Sequence, residues 1–239
     1  MAYIGKVPTP VPLTSSDVTD GIISNAKLAQ DIISADTALG VAPADTDELL
    51  ISDAGVLKRI DYSLLKSTPA HTLLQTITIS SGTASADFTS NIDSTYKLYV
   101  FDIINLHPAT DAQTVRVRFS QSSSFVTSSI YDHTFVRMDS NTGGHSDVRA
   151  ENNDHFDIAN NLDNASDASV SGRVFIYDPA STTFEKGAHW QTVYTNDGGP
   201  LGHTTGSGRL DSTTAVDGVQ FYMGSGNIDS AVIKMYGVT

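Results

Sequence analysis

In the stretch "VRVRF", Val115, Val117 and Phe119 alternate with Arg116 and Arg118. Period-two alternation puts the apolar side chains on one face of an extended chain and the arginines on the other. The reading is a strand with one face on a core and one in water. The same kind of signal returns along the chain from Leu73 onward. "YKLYVFDII" is apolar on both faces, as a central or doubly covered strand is. Further strands are expected near residues 74–79, 129–137, 173–177, 190–194, 219–223 and 231–238. Stretches such as "NTGGHSD", "NNLDNASDAS" and "NDGGPLGHTTGSG" read as turn-rich separators. Short strands set apart by Gly/Asn/Asp loops predict a mainly β chain with a jelly-roll-like antiparallel β-sandwich over residues 71–239. The final "AVIKMYGV" reads as a buried strand that ties down the C-terminus and makes small truncations costly.

Residues 1–70 have a different character. "KVPTPVPL" carries three prolines, each of which fixes φ and removes a donor, so an extended arm is expected. In "TDGIISNAKLAQDIIS", Ile22, Ala26, Ala29 and Ile33 fall on one helical stripe, with Asp20 placed as an N-cap. Two readings stay open: a short amphipathic helix packed on its own domain, or a segment that buries its stripe against another chain. Under the second, Ile22, Ile23, Ala26, Leu28, Ala29, Ile32 and Ile33 are the assembly and attachment residues. After it, "DELLISDAGVLKRIDYSLLK" predicts a small β-hairpin turning at "SDAG", then a helical turn over residues 62–66. Pro69 is a natural boundary, giving an arm at 1–70 and a β-domain at 71–239.

Charge narrows the function. The net charge is −13, with acids in excess on both sides of Ala70 and no basic block. The charge disfavours phosphate neutralisation, and no nucleic-acid partner is expected. No membrane insertion is expected either, since no apolar run approaches the roughly 20 residues a spanning helix needs. With no cysteine there is no disulfide and no thiolate zinc site. "MAYIGKVPTPVPL" lacks the apolar centre of a signal peptide, so synthesis in a cytosol is expected.

No constellation announces catalysis. The seven histidines include no His-x-His or His-x-x-x-His pair. "GHSDVRAENNDHFD" gathers His145, Asp147, Glu151, Asp154, His155 and Asp157; its ordinary reading is a solvated polar loop, and its sharper one a cation site. "NLDNASDAS", with Asp163 and Asp167, lacks the glycine and terminal glutamate of a calcium loop. There is no Gly-x-Ser-x-Gly elbow, and "GHTTGSGR" has neither lysine nor nucleotide-binding spacing. The expectation is no enzyme, no cofactor and no metal. Tyr131, His133, Phe135, His189, Trp190 and Tyr194 are either core rings or rings presented to a sugar; strand alternation has to decide.

"AYIGKVPTPVPLTSSDVTDGIISNAKLAQDIIS" resembles the N-terminal segment of fibre-type virion proteins of tailed bacteriophages. Such proteins begin with a short "YIG" arm and continue with "DG-I-NAKLA" units. "LLISDAGVLKRIDYSLL" looks like a short module of these fibres, and "GSGNIDSAVIKMYGV" is similar to the last strand pair of phage β-domains. The resemblance covers roughly the first 66 and last 15 residues. The chain has neither the repeats nor the needle shaft of a long fibre, so a short, compact form is expected. The resemblance implies a virion location, a homotrimer, an arm attached to tail or capsid proteins, and an outward β-domain available for host-surface glycan. A free carbohydrate-binding module is the alternative reading, and a polysaccharide depolymerase a more distant one.

Overall fold

A computed structural model describes residues 14–19, 37–66, 70–141 and 143–239. The chain divides into two compact units, Met1–Ser67 and Thr68–Thr239. No α-helix occurs among the described residues. The proline-rich arm, and Ile22, Ile23, Ala26, Leu28, Ala29, Ile32 and Ile33 with the helix expected around them, lie outside the described residues.

In the first unit, β1 (Glu48–Asp53) pairs antiparallel with β2 (Val56–Asp61), as the "SDAG" signal predicts. Ala54 and Gly55 make a two-residue turn with φ of 49° and 85°. Positive φ at both positions matches the right-handed twist of the flanking strands. A 3-10 turn, Tyr62–Leu64, follows directly. The register places Leu49, Ile51, Val56 and Ile60 on one face of the ribbon.

The second unit holds thirteen strands in two sheets. They are β3 (His71–Ile79), β4 (Ser85–Phe88), β5 (Leu98–Pro108), β6 (Gln113–Gln121), β7 (Ser124–Phe125), β8 (Tyr131–Asp139), β9 (His145–Asn153), β10 (Phe156–Leu162), β11 (Val170–Tyr177), β12 (Lys186–Thr195), β13 (Leu201–Leu210), β14 (Gly218–Met223) and β15 (Ile228–Val238). The large sheet runs β3-β15-β5-β11-β12-β13-β8-β9; the small one runs β10-β6-β14-β4, with β7 paired to β6. Every pairing is antiparallel. The chain alternates between the sheets, β3 to β4 to β5 to β6 and later β10 to β11 and β14 to β15. The pairs β8–β9 and β12–β13 widen the large sheet on one side.

Aromatic side chains join the two sheets. Phe101 of the large sheet meets Phe88 and Phe221 of the small one at ring-centroid distances of 5.1 and 5.4 Å. At the other end, Phe156 of β10 meets Tyr131 of β8 at 5.0 Å and Trp190 of β12 at 6.0 Å. Buried Val115, Val117 and Phe119 put the inward face of β6 into this core, as their alternation predicts. β5 lies between β15 and β11, and Val100 is buried although it alternates with inward-facing Tyr99 and Phe101. That is the central strand expected of "YKLYVFDII"; its outer face opens beyond Val100, where Asp102 is half-buried and Ile104 exposed.

The separators fare less well. "GHTTGSGR" is not turn but the body of β13, and "GHSDVRAENNDHFD" is not a loop but β9, a two-residue corner and the start of β10. Both stretches are polar or glycine-rich because of what surrounds them. β9 is the edge of the large sheet and mostly exposed. β13 has glycine where the core rings leave no room. A Cβ at Gly206 would come within 2.7 Å of Trp190 Cζ2, and one at Gly208 within 2.5 Å of Phe156 Cε1. Glycine here serves close packing rather than a bend.

Candidate functional site

Of the six ring candidates, Tyr131, His133, Phe135, Trp190 and Tyr194 are buried. Alternation turns all five toward the small sheet. Tyr131 shows the consequence for chemistry. Its hydroxyl accepts from the Phe119 N–H at 2.9 Å, and burial pushes its pKa upward. It is a structural hydroxyl. His189 alone faces outward, stacked on Phe175 of the neighbouring strand at 5.0 Å and 24°. Phe175 was visible in the sequence only as part of a strand.

The acidic His/Asp stretch is split by the corner between β9 and β10. His145, Asp147 and Glu151 stay on β9, while Asp154, His155 and Asp157 come together beside β6. His155 places Nδ1 2.5 Å from Asp154 and Nε2 3.1 Å from Asp157. The ring thus bridges the two carboxylates. Arg118 binds Asp154 at 2.7 Å and lies 4.7 Å over the ring of Tyr222; Arg116 reaches Asp157 at 3.3 Å. The arginines read as the watery face of "VRVRF" are thus half-buried members of an ion network. No group of three or more ligating side chains suited to a metal occurs among the described residues.

Burial raises the carboxyls of Asp154 and Asp157, but the His155 hydrogen bonds and the neighbouring positive charges outweigh it and hold both below the ordinary range. His133, whose Nε2 lies 3.9 Å from Asp157, is also shifted down, which for a base disfavours the charged form. Burial lowers its pKa more than the Asp157 charge raises it. For His133 the unfolded state binds the proton more readily, so stability is full above the unfolded value of about 6.5 and falls as pH drops toward the folded one. For the two aspartates it is full above about 4 and falls as pH drops through their folded values. Urea midpoints are expected to decline as pH falls below about 6.5 and again as it falls below about 4. His133→Phe, which keeps a ring against Phe135, Phe156 and Trp190, should flatten the first decline and leave most of the second, which His155 dominates.

"NLDNASDAS" is turned by its own side chains. Asp163 accepts the Ala165 N–H at 2.7 Å, the local hydrogen bond of an Asx turn.

The outer face of the large sheet carries the concave features nearest the outward ring. In register across it lie Phe175, His189, Ser207, Thr134 and Arg149, from β11, β12, β13, β8 and β9. The middle of this row is small, and a depression of about 460 Å³ opens there, lined by Asp132, Thr134, Arg149, Glu151, Ser207 and Arg209. A second, of about 300 Å³, adjoins it along Thr134 and Ser207 and reaches His189. Arg209 is held by Asp132 at 2.7 Å and by Glu185 at 3.1 Å, and Arg149 pairs with Glu151. These carboxylates, guanidiniums, hydroxyls and one stacked ring can exchange hydrogen bonds with a polar ligand. Comparison of the chain with protein families, with curated proteins and with solved structures returned no match in any of the three.

Proposed function

We propose that this protein is a short, fibre-type structural component of a tailed-phage virion, a homotrimer that attaches through residues 1–70 and displays its β-domain for adhesion to host-surface glycan. It works by assembly and binding, without catalysis. The observation that carries this reading is the hairpin β1–β2. Leu50, Val56 and Leu64 in and beside it are 73%, 59% and 74% exposed. A two-stranded ribbon is marginal in water by itself. Each such side chain gains roughly 1.5–3 kcal/mol when fully buried. A trimer offers that burial around a shared axis. In the sequence, Ile22, Ile23, Ala26, Leu28, Ala29, Ile32 and Ile33 are the attachment residues of this reading.

The β-domain fits the outward part. Strands β3-β15-β5-β11 and β4-β14-β6-β10 interleave in the order of a jelly roll, an architecture used by capsid and lectin domains. One fold hosts many functions, so the topology supports the reading by analogy and the hairpin bears the weight.

Light scattering on the full chain at micromolar concentration is expected to give a trimer. Leu50→Asp with Leu64→Asp should shift it toward monomer without changing the β-sheet circular dichroism. A stable full-length monomer would sink the proposal. In particles, Ile22→Asp with Ile33→Asp should block incorporation while the β-domain still folds. The outward depression favours a second reading, a free lectin-like module. Deleting residues 1–66 separates the two: a lectin keeps its whole function, and a virion component no longer enters particles.

A further inference from the structure

We infer that the trough over β13 binds a neutral oligosaccharide, with Ser207 and Thr134 as its floor. This rests on the adhesive part of the function proposed above. The trough follows from packing. Gly206 and Gly208 bring the backbone of β13 down onto Trp190, Phe135 and Phe156, where any Cβ would collide. On the outer side the same strand presents only Thr205 and Ser207 between Leu201 and His203 at one end and Arg209 at the other. Long side chains on β9 and at the far end of β13 then stand up around a low centre.

The chemistry selects the ligand class. Three carboxylates, Asp132, Glu151 and Glu185, face two guanidiniums, Arg149 and Arg209, all in ion pairs. A ligand therefore has no unpaired charge to neutralise. The local excess is negative, on a chain of net charge −13, which disfavours a uronate, a phosphate or a nucleic acid. Paired carboxylates still have lone pairs to offer, and paired guanidiniums still have N–H groups. A sugar hydroxyl donates and accepts at once and matches both. The stacked pair of His189 and Phe175 closes one end of the row with an aromatic surface. With strands about 4.8 Å apart, the row from Phe175 to Arg149 spans roughly 19 Å, the reach of a short chain of sugars rather than one ring. The main depression lies within the usual size range of small-ligand sites.

The test is a titration of the full-length protein with neutral gluco-, galacto- and manno-oligosaccharides and with hexuronate oligosaccharides, read by saturation-transfer NMR and calorimetry. At least one neutral oligosaccharide is expected to bind, and none of the hexuronates more tightly. Ser207→Trp fills the trough from its floor and should weaken binding at least tenfold. Arg149→Ala, at an exposed position on the edge strand, should weaken it several-fold and serves should Ser207→Trp fail to fold. Unchanged affinity in these variants overturns the trough while leaving adhesion in place. Preference for hexuronates overturns the charge argument and with it the inference. A protein that enters particles yet binds no oligosaccharide overturns trough and adhesion together and leaves the structural role standing.

Discussion

Deleting residues 233–239 is expected to leave the β-domain without a cooperative folded state. β15 is not a trailing strand. It lies between β3 and β5, pairing Ile233 with Ile77 on one side and with Ile103 on the other. Ile233 and Met235 are fully buried, each contributing roughly 1.5–3 kcal/mol of apolar burial. The deletion also removes hydrogen-bond partners from two ladders at once, and backbone groups left unpaired in a core carry a further cost. Against a net stability of about 5–15 kcal/mol for a domain, losses of this kind are decisive. Far-UV circular dichroism with urea unfolding reads the outcome. A truncated protein with a cooperative transition at the full-length midpoint would mean that β3 and β5 re-pair without the strand between them.

The second large effect is expected at Phe156. Its ring lies 5.4 Å from Phe119, 5.0 Å from Tyr131, 6.1 Å from His133 and 6.0 Å from Trp190. It therefore joins the small sheet to the strands that widen the large one. Phe156→Ala removes that contact and leaves a cavity, at a cost of about 3–5 kcal/mol. Gly208 supplies a sharper test. Its missing Cβ is the space the Phe156 ring occupies, so Gly208→Ala alone should destabilise the protein. In the Phe156→Ala background the same substitution should cost much less, because the collision is gone. The coupling is measured as the departure from additivity of the urea free energies. Additive costs would show that Gly208 is needed for its backbone and not for the ring.

The two effects differ in how far they can be read from sequence. Burial of β15 follows from "AVIKMYGV", an apolar run interrupted by a single charge, Lys234, in a predicted strand. The role of Phe156 does not, because "NNDHFDIAN" looks like a polar loop with one ring in it. Only the pairing of Phe156 with Val117 of β6 places that ring inside.

Alternation, turn residues and charge are local properties of the chain, and they determined what local physics can determine. They gave the mainly β class, the hairpin at "SDAG", the inward face of "VRVRF", the central placing of β5 and the acidic net charge. Tertiary structure decided matters that depend on residues distant in sequence. It made strands of β9 and β13, since a strand needs only a partner edge, and a polar or glycine-rich stretch can provide one without alternating. It turned five of six candidate rings inward and left His189 outside, because the face a ring occupies depends on register. It drew Asp154, His155 and Asp157 to Arg116 and Arg118, some forty residues away, and left His145, Asp147 and Glu151 behind on the other side of a corner. The trough belongs to the same class. Its floor is a glycine-patterned strand whose meaning appears only when Trp190 and Phe156 lie beneath it.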